Sequence, residues 1–330
     1  MKFYSRILLF LLISCFCVAC KSNQDNSKQR LFSNDEKPKV LSTIGMINDL
    51  VRQIGGDHIE TLTLINGELD PHSYQLVKGD DEKLSRANII FFNGLGLEHG
   101  PSLQRHLQQH RNAIALGDEL QKQYPEQIIY YHGQLDPHVW MDVSLWAKTV
   151  PFIVKTLSAE DPAHADDYQK NGEKLQIEMN KSDAEIREMF KQVPDAKRYL
   201  VTSHDAFNYF GRAYLATDEE RSSGLWHERV AAPEGLAPES QLSSKDIQII
   251  IDHLEKYDIR VLFPESNISK DSIKKIISAG KEKGLKLDLA TISLYADAMG
   301  GSGTDEDTYL KMILHNARVI KDTLIKTNHD

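Results

Sequence analysis

Two copies of one tripeptide, Asp70-Pro71-His72 and Asp136-Pro137-His138, are the first residues in this chain whose type and spacing point to chemistry. An imidazole is neutral near pH 7 and offers a nitrogen lone pair to a borderline cation. A preceding proline fixes its own φ and restrains its neighbour, so the ring is held before any ligand arrives. At average residue usage the tripeptide is expected on the order of 0.02 times in this length, so two copies are not an accident of composition. His204, in Thr202-Ser203-His204-Asp205-Ala206-Phe207, and Asp297, in Tyr295-Ala296-Asp297-Ala298-Met299, stand in comparable positions of the second half. Three imidazoles and one carboxylate suit Zn²⁺, and a bidentate Asp297 would also accommodate Mn²⁺ or Fe²⁺. Affinity is expected to fall as acid protonates the rings. Glu265, in Phe263-Pro264-Glu265-Ser266, either orients one of these histidines or serves as a helix-capping or salt-bridging carboxylate.

Position singles these residues out from 13 histidines, because ligands of open α/β sheets bind outside the carboxyl ends of the strands. Apolar runs predict strands over 39–44, 61–65, 88–92 and 112–116, with helical spacing over 46–54, 80–86 and 143–157. The second half repeats the pattern, with strands over 199–202, 261–263 and 287–292 and helices over 246–256, 270–283 and 304–325. Alternating strands and helices imply parallel sheets. His72, His138, His204 and Asp297 then fall on the loops that lead into helices. His58, His106, His110, His164, His227, His253 and His329 lie in helical or polar contexts and are expected to be solvated. His99, His132 and His315 are undecided, with a local hydrogen-bonding role ahead of a ligand role.

Between the halves, residues 163–193 contain no proline and are flanked by Pro162 and Pro194. Tyr168, Leu175, Met179, Ile186, Met189 and Val193 share one stripe, which predicts a long helix as a rigid spine. The expected fold is therefore α/β with two lobes, each a mostly parallel sheet flanked by helices, joined by that helix. The lobes span 38–162 and 194–330, and 217–241 is a long loop of uncertain role.

Composition narrows the function classes. A chain of 330 residues favours two domains, and 41% apolar with 26% charged residues argues against extended disorder. A net charge of −9 leaves no basic surplus for phosphates, so no nucleic-acid partner is expected. The three cysteines, Cys15, Cys17 and Cys20, sit in the first twenty residues, so the body has neither disulfides nor a cysteine nucleophile. Lys2 and Arg6 beside the apolar run from Ile7 to Ala19 predict an export signal over 1–19, with a polar tether over 20–37. Cys17-Val18-Ala19-Cys20 resembles a bacterial lipobox, with Cys20 the acylated residue; cleavage without lipidation is the alternative.

With these motifs in order, the sequence resembles the metal-binding lipoproteins of bacterial ABC importers for zinc, manganese or iron. Asp70-Pro71-His72, Asn93-Gly94-Leu95-Gly96-Leu97-Glu98, Asp136-Pro137-His138-Val139-Trp140, His204-Asp205-Ala206-Phe207 and Tyr295-Ala296-Asp297-Ala298 carry the resemblance, from about Lys39 to the C-terminus. It implies one metal between two lobes, with His72, His138, His204 and Asp297 as its ligands. Manganese-selective members typically have Glu at the position of His204, and dedicated zinc members often carry a His-rich loop where residues 121–134 hold only His132. The Glu98-His99 and Pro233-Glu234-Gly235-Leu236 wording is similar to the branch associated with iron as well as zinc and manganese. The implied protein is an exported monomer, in the periplasm or on the outer face of the membrane, lipid-anchored through Cys20. Its partners are an ABC permease and that permease's ATPase, and the spine helix limits closure to a modest local rearrangement of the second lobe. Two rivals are a zinc hydrolase, which also uses three histidines but leaves a position for water, and a surface adhesin with a structural metal.

Overall fold

Continuous apolar runs, rather than alternating ones, build the first sheet. Strands β1 (Lys39–Ser42), β2 (Glu60–Thr63), β3 (Ile89–Phe92) and β4 (Ala113–Ala115) pair in parallel in the order β2-β1-β3-β4. Val40, Leu41, Ile89, Ile90 and Phe91 are fully buried, as a sheet covered on both faces requires. Helices α1 (Gly45–Gly55), α2 (Asp80–Arg86), α3 (Pro101–Gln109) and α4 (Leu116–Gln123) alternate with these strands or follow the last. The computed structural model describes residues 31–131, 133–237 and 242–326. The expected signal peptide, Cys20, the tether as far as residue 30, His132 and His329 lie outside the described residues.

The tether expected over 20–37 does not stay free of the body at its inner end. Phe32 is 3% exposed in the core, and Ser33 donates from its backbone and hydroxyl to Glu60. Phe32 is one of only two large apolar side chains in that stretch, so burial fixes what polarity alone would leave loose.

After a short antiparallel hairpin, β5 (Tyr130–Tyr131) and β6 (Gln134–Leu135), the helix expected over 143–157 is divided. It runs as α5 (Val143–Trp146), a 3₁₀ turn (Ala147–Thr149) and α6 (Val150–Glu160). Pro151 falls in the first turn of α6, where its missing N–H is tolerated but would break a continuous ladder.

The spine follows a 3₁₀ turn at Pro162–His164 and is α7 (Ala165–Lys191), 27 residues and about 40 Å long. Its buried stripe is Tyr168, Gly172, Leu175, Met179, Ser182, Ile186 and Phe190. Phe190, not the expected Met189, takes the last buried place, because a 3.6-residue repeat drifts by a position over six turns. Val193 is buried just beyond the helix end.

In the second half β7 (Leu200–Val201) pairs in parallel with β8 (Val230–Ala231), and β9 (Val261–Leu262) with β10 (Asp288–Leu289). The N–H of Phe263 donates to Val201 O at 2.8 Å and joins the two ladders. The resulting order, β8-β7-β9-β10, repeats the second-first-third-fourth order of the first sheet. The segment expected as a loop over 217–241 thus supplies a strand, and it also forms α9 (Asp218–Ser223), capped reciprocally by Thr217 and Glu220. The sheet strands are shorter than their apolar runs, because Pro264 ends the β9 ladder and Ile292 is already exposed. Helices α8 (Asn208–Phe210), α10 (Ser244–Lys256), α11 (Asp271–Glu282) and α12 (Tyr309–Lys326) complete the fold, with a π turn at Gly211–Leu215. α12 starts later than the expected 304 because Gly300, Gly301 and Gly303 form a turn first.

The main core runs through both halves. α7 packs against α1, α5, α6 and α12, while a smaller cluster of Val201, Ile250, Leu254, Leu262, Ile276 and neighbours lies under the second sheet. Gly172 marks the closest approach of α7 to α6, since a Cβ there would lie 2.5 Å from Val154 Cγ2. Alanine at that position gains helix propensity of about 1 kcal/mol but forces a stiff β-branched neighbour aside. Overpacking of this kind costs about 1–3 kcal/mol, so Gly172→Ala is expected to lower the thermal unfolding midpoint; an unchanged or raised Tm would show that the helices can separate freely.

Candidate metal centre

The repeated Asp-Pro-His motif folds the same way twice. The backbone N–H of His72 donates to Asp70 Oδ1 at 2.8 Å, and that of His138 donates to Asp136 Oδ1 at 2.9 Å. In each turn the aspartate closes the loop that the proline has already stiffened. The copies differ in what the carboxylate does next. Asp136 is fully buried, accepts His138 Nδ1–H at 2.8 Å, and is braced by Asn208 Nδ2 at 3.0 Å. Asp70 instead takes the Ser73 hydroxyl at 2.7 Å.

The other two residues are positioned from the second sheet. His204 follows β7, and Glu265 follows the adjacent β9. Glu265 accepts the backbone N–H groups of Ser203 and His204 at 2.8 and 3.0 Å and the His204 Nδ1–H at 2.5 Å. Asp297 lies on the loop after β10, which is clamped at Tyr295. There Asn316 accepts the backbone N–H at 2.9 Å and donates to the carbonyl at 2.6 Å. Trp140 Nε1 donates to Ala296 O at 2.9 Å, which ties this loop to the His138 segment across the molecule.

The two sheets use a buried glutamate in parallel ways. Beside Glu265, Glu98 in the first half accepts Thr43 Oγ1–H at 2.6 Å and the N–H groups of Asn93 and Gly94 at 2.8 and 3.0 Å. Asn93 Nδ2 in turn donates to Pro137 O at 2.9 Å, so Glu98 supports the His138 turn from behind. Both glutamates work beside the gap between the first and third strands of a sheet, the switch point at which open α/β sheets bind ligands.

These supports bring His72, His138, His204 and Asp297 together, with one ligand atom of each within 4.8 Å of every other. His72 Nε2 is 3.3 Å from His138 Nε2 and 3.8 Å from Asp297 Oδ2. His138 Nε2 is 3.3 Å from Asp297 Oδ1, and His204 Nε2 is 3.2 Å from Asp297 Oδ2. Four donors about 2.1 Å from one cation in a tetrahedron would stand roughly 3.4 Å apart. The four residues are between 0% and 4% exposed, so these polar atoms are shielded from bulk solvent. His204 Nε2 approaches Asp297 Oδ2 and His138 Nε2 approaches Asp297 Oδ1 as ion pairs, yet His204 Nε2 and both Asp297 oxygens have no hydrogen-bond partner, an arrangement that a cation would satisfy.

Charge follows from burial and from these pairs. Burial pushes His72 down to about 3, against the opposing pull of Asp297 and with the help of the other two rings. Burial also opposes the charged form of His138, but Asp136 and Asp297 outweigh it and lift the ring to about 9. For His204 burial is likewise overcome, by Glu265 first and Asp297 next, and its ring is held well above the usual histidine range. Burial would raise Asp297, yet His204 and His138 hold it well below the usual carboxylate range. Burial, reinforced by Asp136, pushes neighbouring Asp205 up to about 8.

Several residues on which this geometry depends carry no signal of their own. Asp136 stands inside the repeated tripeptide, but what separates it from Asp70, its bonds to the His138 ring and to Asn208, exists only in the folded chain. Glu98 and Trp140 lie within the motifs quoted above, whereas Asn316 is an ordinary helical residue until it meets Tyr295. Of the remaining histidines, His58 and His164 stack at 3.9 Å by the start of α7, and His315 pairs with Glu306 at 3.0 Å. His253 is half-buried rather than solvated, and burial pushes it down to about 4.

Comparison with known proteins covers most of the body. Residues 40–323 match the family described as zinc-uptake complex component A, periplasmic. The chain is 38% identical to the metal-binding protein YtgA of Chlamydia pneumoniae over 94% of its own length and 93% of the relative's. It is 32% identical to the manganese-binding lipoprotein MntA of Bacillus subtilis, covering 88% and 91% of the two chains. The crystal structure of Fe(III)-bound YtgA from Chlamydia trachomatis superposes with a TM-score of 0.82 at 38% identity, covering 87% of this chain and 98% of that one. The chain belongs to the zinc-uptake complex component A family.

Proposed function

We infer that this chain is the metal-binding component of an ABC importer, and that its cargo is one transition-metal ion held by His72, His138, His204 and Asp297. The observation that carries the reading is the convergence of three ring nitrogens and one carboxylate, at the spacing of a coordination shell, from loops of both halves. The cargo is zinc, manganese or iron. A relative named for manganese, a relative crystallised with Fe(III) and a family named for zinc all share this scaffold. Intrinsic affinity in almost any such site ranks Mn²⁺ below Fe²⁺ and Fe²⁺ below Zn²⁺, so preference in vitro does not identify the cargo and metal supply takes part in selecting it.

Glu265 and Asp136 orient the rings of His204 and His138. Each accepts a hydrogen bond from Nδ1–H, which leaves Nε2 as the nitrogen that faces the cation, an arrangement common to metal-binding histidines. The halves 38–162 and 194–330 act as lobes on the spine at 163–193, and the shared core along α7 favours a local rearrangement over a wide hinge motion. The partners are a permease and its ATPase. The protein works as a monomer outside the cytoplasm, anchored by lipid at Cys20. It is not an enzyme: Asp297 takes the fourth position, where a zinc hydrolase would hold water, and neither that reading nor the adhesin gains support.

Two substitutions test this site. His204→Ala removes one of four donors and is expected to weaken Zn²⁺ binding by more than about 100-fold, beyond the range for an outer partner, with the fold retained by circular dichroism. Unchanged affinity in calorimetry would remove His204 from the site. Glu265→Gln keeps an oxygen for the backbone N–H groups but loses the charge beside His204 Nδ1, and should weaken binding about 10–100-fold. If affinity held while only the melting point fell, Glu265 would be a loop brace and nothing more.

A further inference from the structure

We propose that Asn208 is a positioning residue that couples His138 to His204, so that one amide relates a proposed ligand of the first half to one of the second. The inference rests on the metal-site reading above and concerns the device that joins the two halves of that site. Asn208 is 1% exposed and opens α8, on the segment that follows His204. Its Nδ2 donates to Asp136 Oδ2 at 3.0 Å and to Asp205 O at 3.2 Å. The other oxygen of Asp136 accepts the backbone N–H and the Nδ1–H of His138. Asp205 is the residue that follows His204 in the chain. An unbroken path of short contacts therefore runs from His138 through Asp136, Asn208 and Asp205 to His204.

The orientation of the amide follows from its partners. A carbonyl and a carboxylate only accept, so the nitrogen of the Asn208 amide, not its oxygen, faces them, and both of its hydrogens are used. The amide oxygen is buried and finds no partner among the described residues. Leaving a buried acceptor unpaired destabilises a fold, so an amide placed for its two N–H groups at that cost suits positioning better than packing. Asp205 is held from its other side too, since its N–H donates to Gly235 O at 3.2 Å.

The segment that carries Asn208 is fastened to the first half and the spine by its own bonds. Tyr209 OH donates to Asp136 O at 3.1 Å and accepts the Ile129 N–H at 3.0 Å. Arg212 Nη2, in the π turn, donates to Gln127 O at 2.6 Å. Tyr214 OH accepts the Val143 N–H at 3.0 Å and donates to Asp183 of α7 at 2.9 Å. Glu265 thus fixes His204 from the second sheet, while Asn208 registers it against His138. Without the amide each ring keeps its own carboxylate, but the two supports are free to shift relative to one another. A coordination shell tolerates little of that, because its donors must be held within about 0.5 Å of the productive geometry.

Asn208→Leu keeps the volume and removes both donors, and Asn208→Ala removes them with less bulk should the leucine fail to fold. In the full chain the substitution is expected to weaken Zn²⁺ binding about tenfold by calorimetry, with the fold retained by circular dichroism. It should also change the visible absorption of the Co²⁺-loaded chain, whose d–d bands report the arrangement of the ligands. An unchanged Kd with unchanged Co²⁺ bands, even beside a lower melting point, would make Asn208 a packing residue and overturn the proposal. Coupling to His204 is tested in an Asp136→Ala background, where the brace on His138 is already lost. There Asn208→Leu is expected to weaken binding by a further factor of about three or more. No further loss would confine Asn208 to bracing Asp136 and overturn the coupling. A wild-type chain that binds no Zn²⁺ would overturn the metal-site reading as well, whereas wild-type binding with unaffected variants overturns this inference alone.

Discussion

Four buried donors can face one another at little more than 3 Å only if something else prevents them from turning away, and that constraint organises the structure. Nitrogen and carboxylate groups removed from water without a partner destabilise a fold by several kcal/mol. Here the opposing force comes from a layer of buried carboxylates behind the rings. Asp136 and Glu265 each grip a backbone N–H and a ring N–H of the same histidine, so a ring cannot rotate without losing two charge-assisted bonds. Glu98 does comparable work one step further out, through Asn93 and the Pro137 carbonyl.

The same layer explains why the two sheets share their strand order. In each half a glutamate sits beyond the gap between the first and third strands, and its backbone partners are the loop residues nearest that gap. Repetition of the device allows two sheets to present complementary halves of one site. The loops are then locked across the halves by Trp140 to Ala296 and by Tyr309, which donates its hydroxyl to Trp140 O at 2.7 Å and its N–H to Asp49 at 2.9 Å. α12, the last helix, therefore braces the site through the core of the first half, and α7 supplies the common surface on which both halves pack.

The segment over 217–241 changes meaning in this context. Its polar composition suggests only a loop, yet its β8 lies along β7, and Glu234 bridges to His204 while Gly235 O accepts the Asp205 N–H at 3.2 Å. Leu236 then forms part of the wall outside His72. A stretch whose composition suggests a loop thus supports one proposed ligand and shapes the approach to another.

Much of this protein could be read along the chain, because the determinants are local. Apolar runs bounded by Gly and Pro mark buried parallel strands, Pro162 and Pro194 bracket the spine, and the doubled Asp-Pro-His carries both its chemistry and its stiffness in three residues. Other features exist only once distant segments meet. Asn316 is one amide among many until the fold brings it against Tyr295, twenty-one positions away. The pairing of Asp136 with Asn208 or of Glu265 with His204 leaves no periodic trace, since hydrogen bonds between loops depend on direction and distance rather than on hydrophobic spacing. Residue types along the chain thus determined which groups could bind a cation. Packing of the two sheets around α7 decided which of the described histidines come within coordination distance of one another.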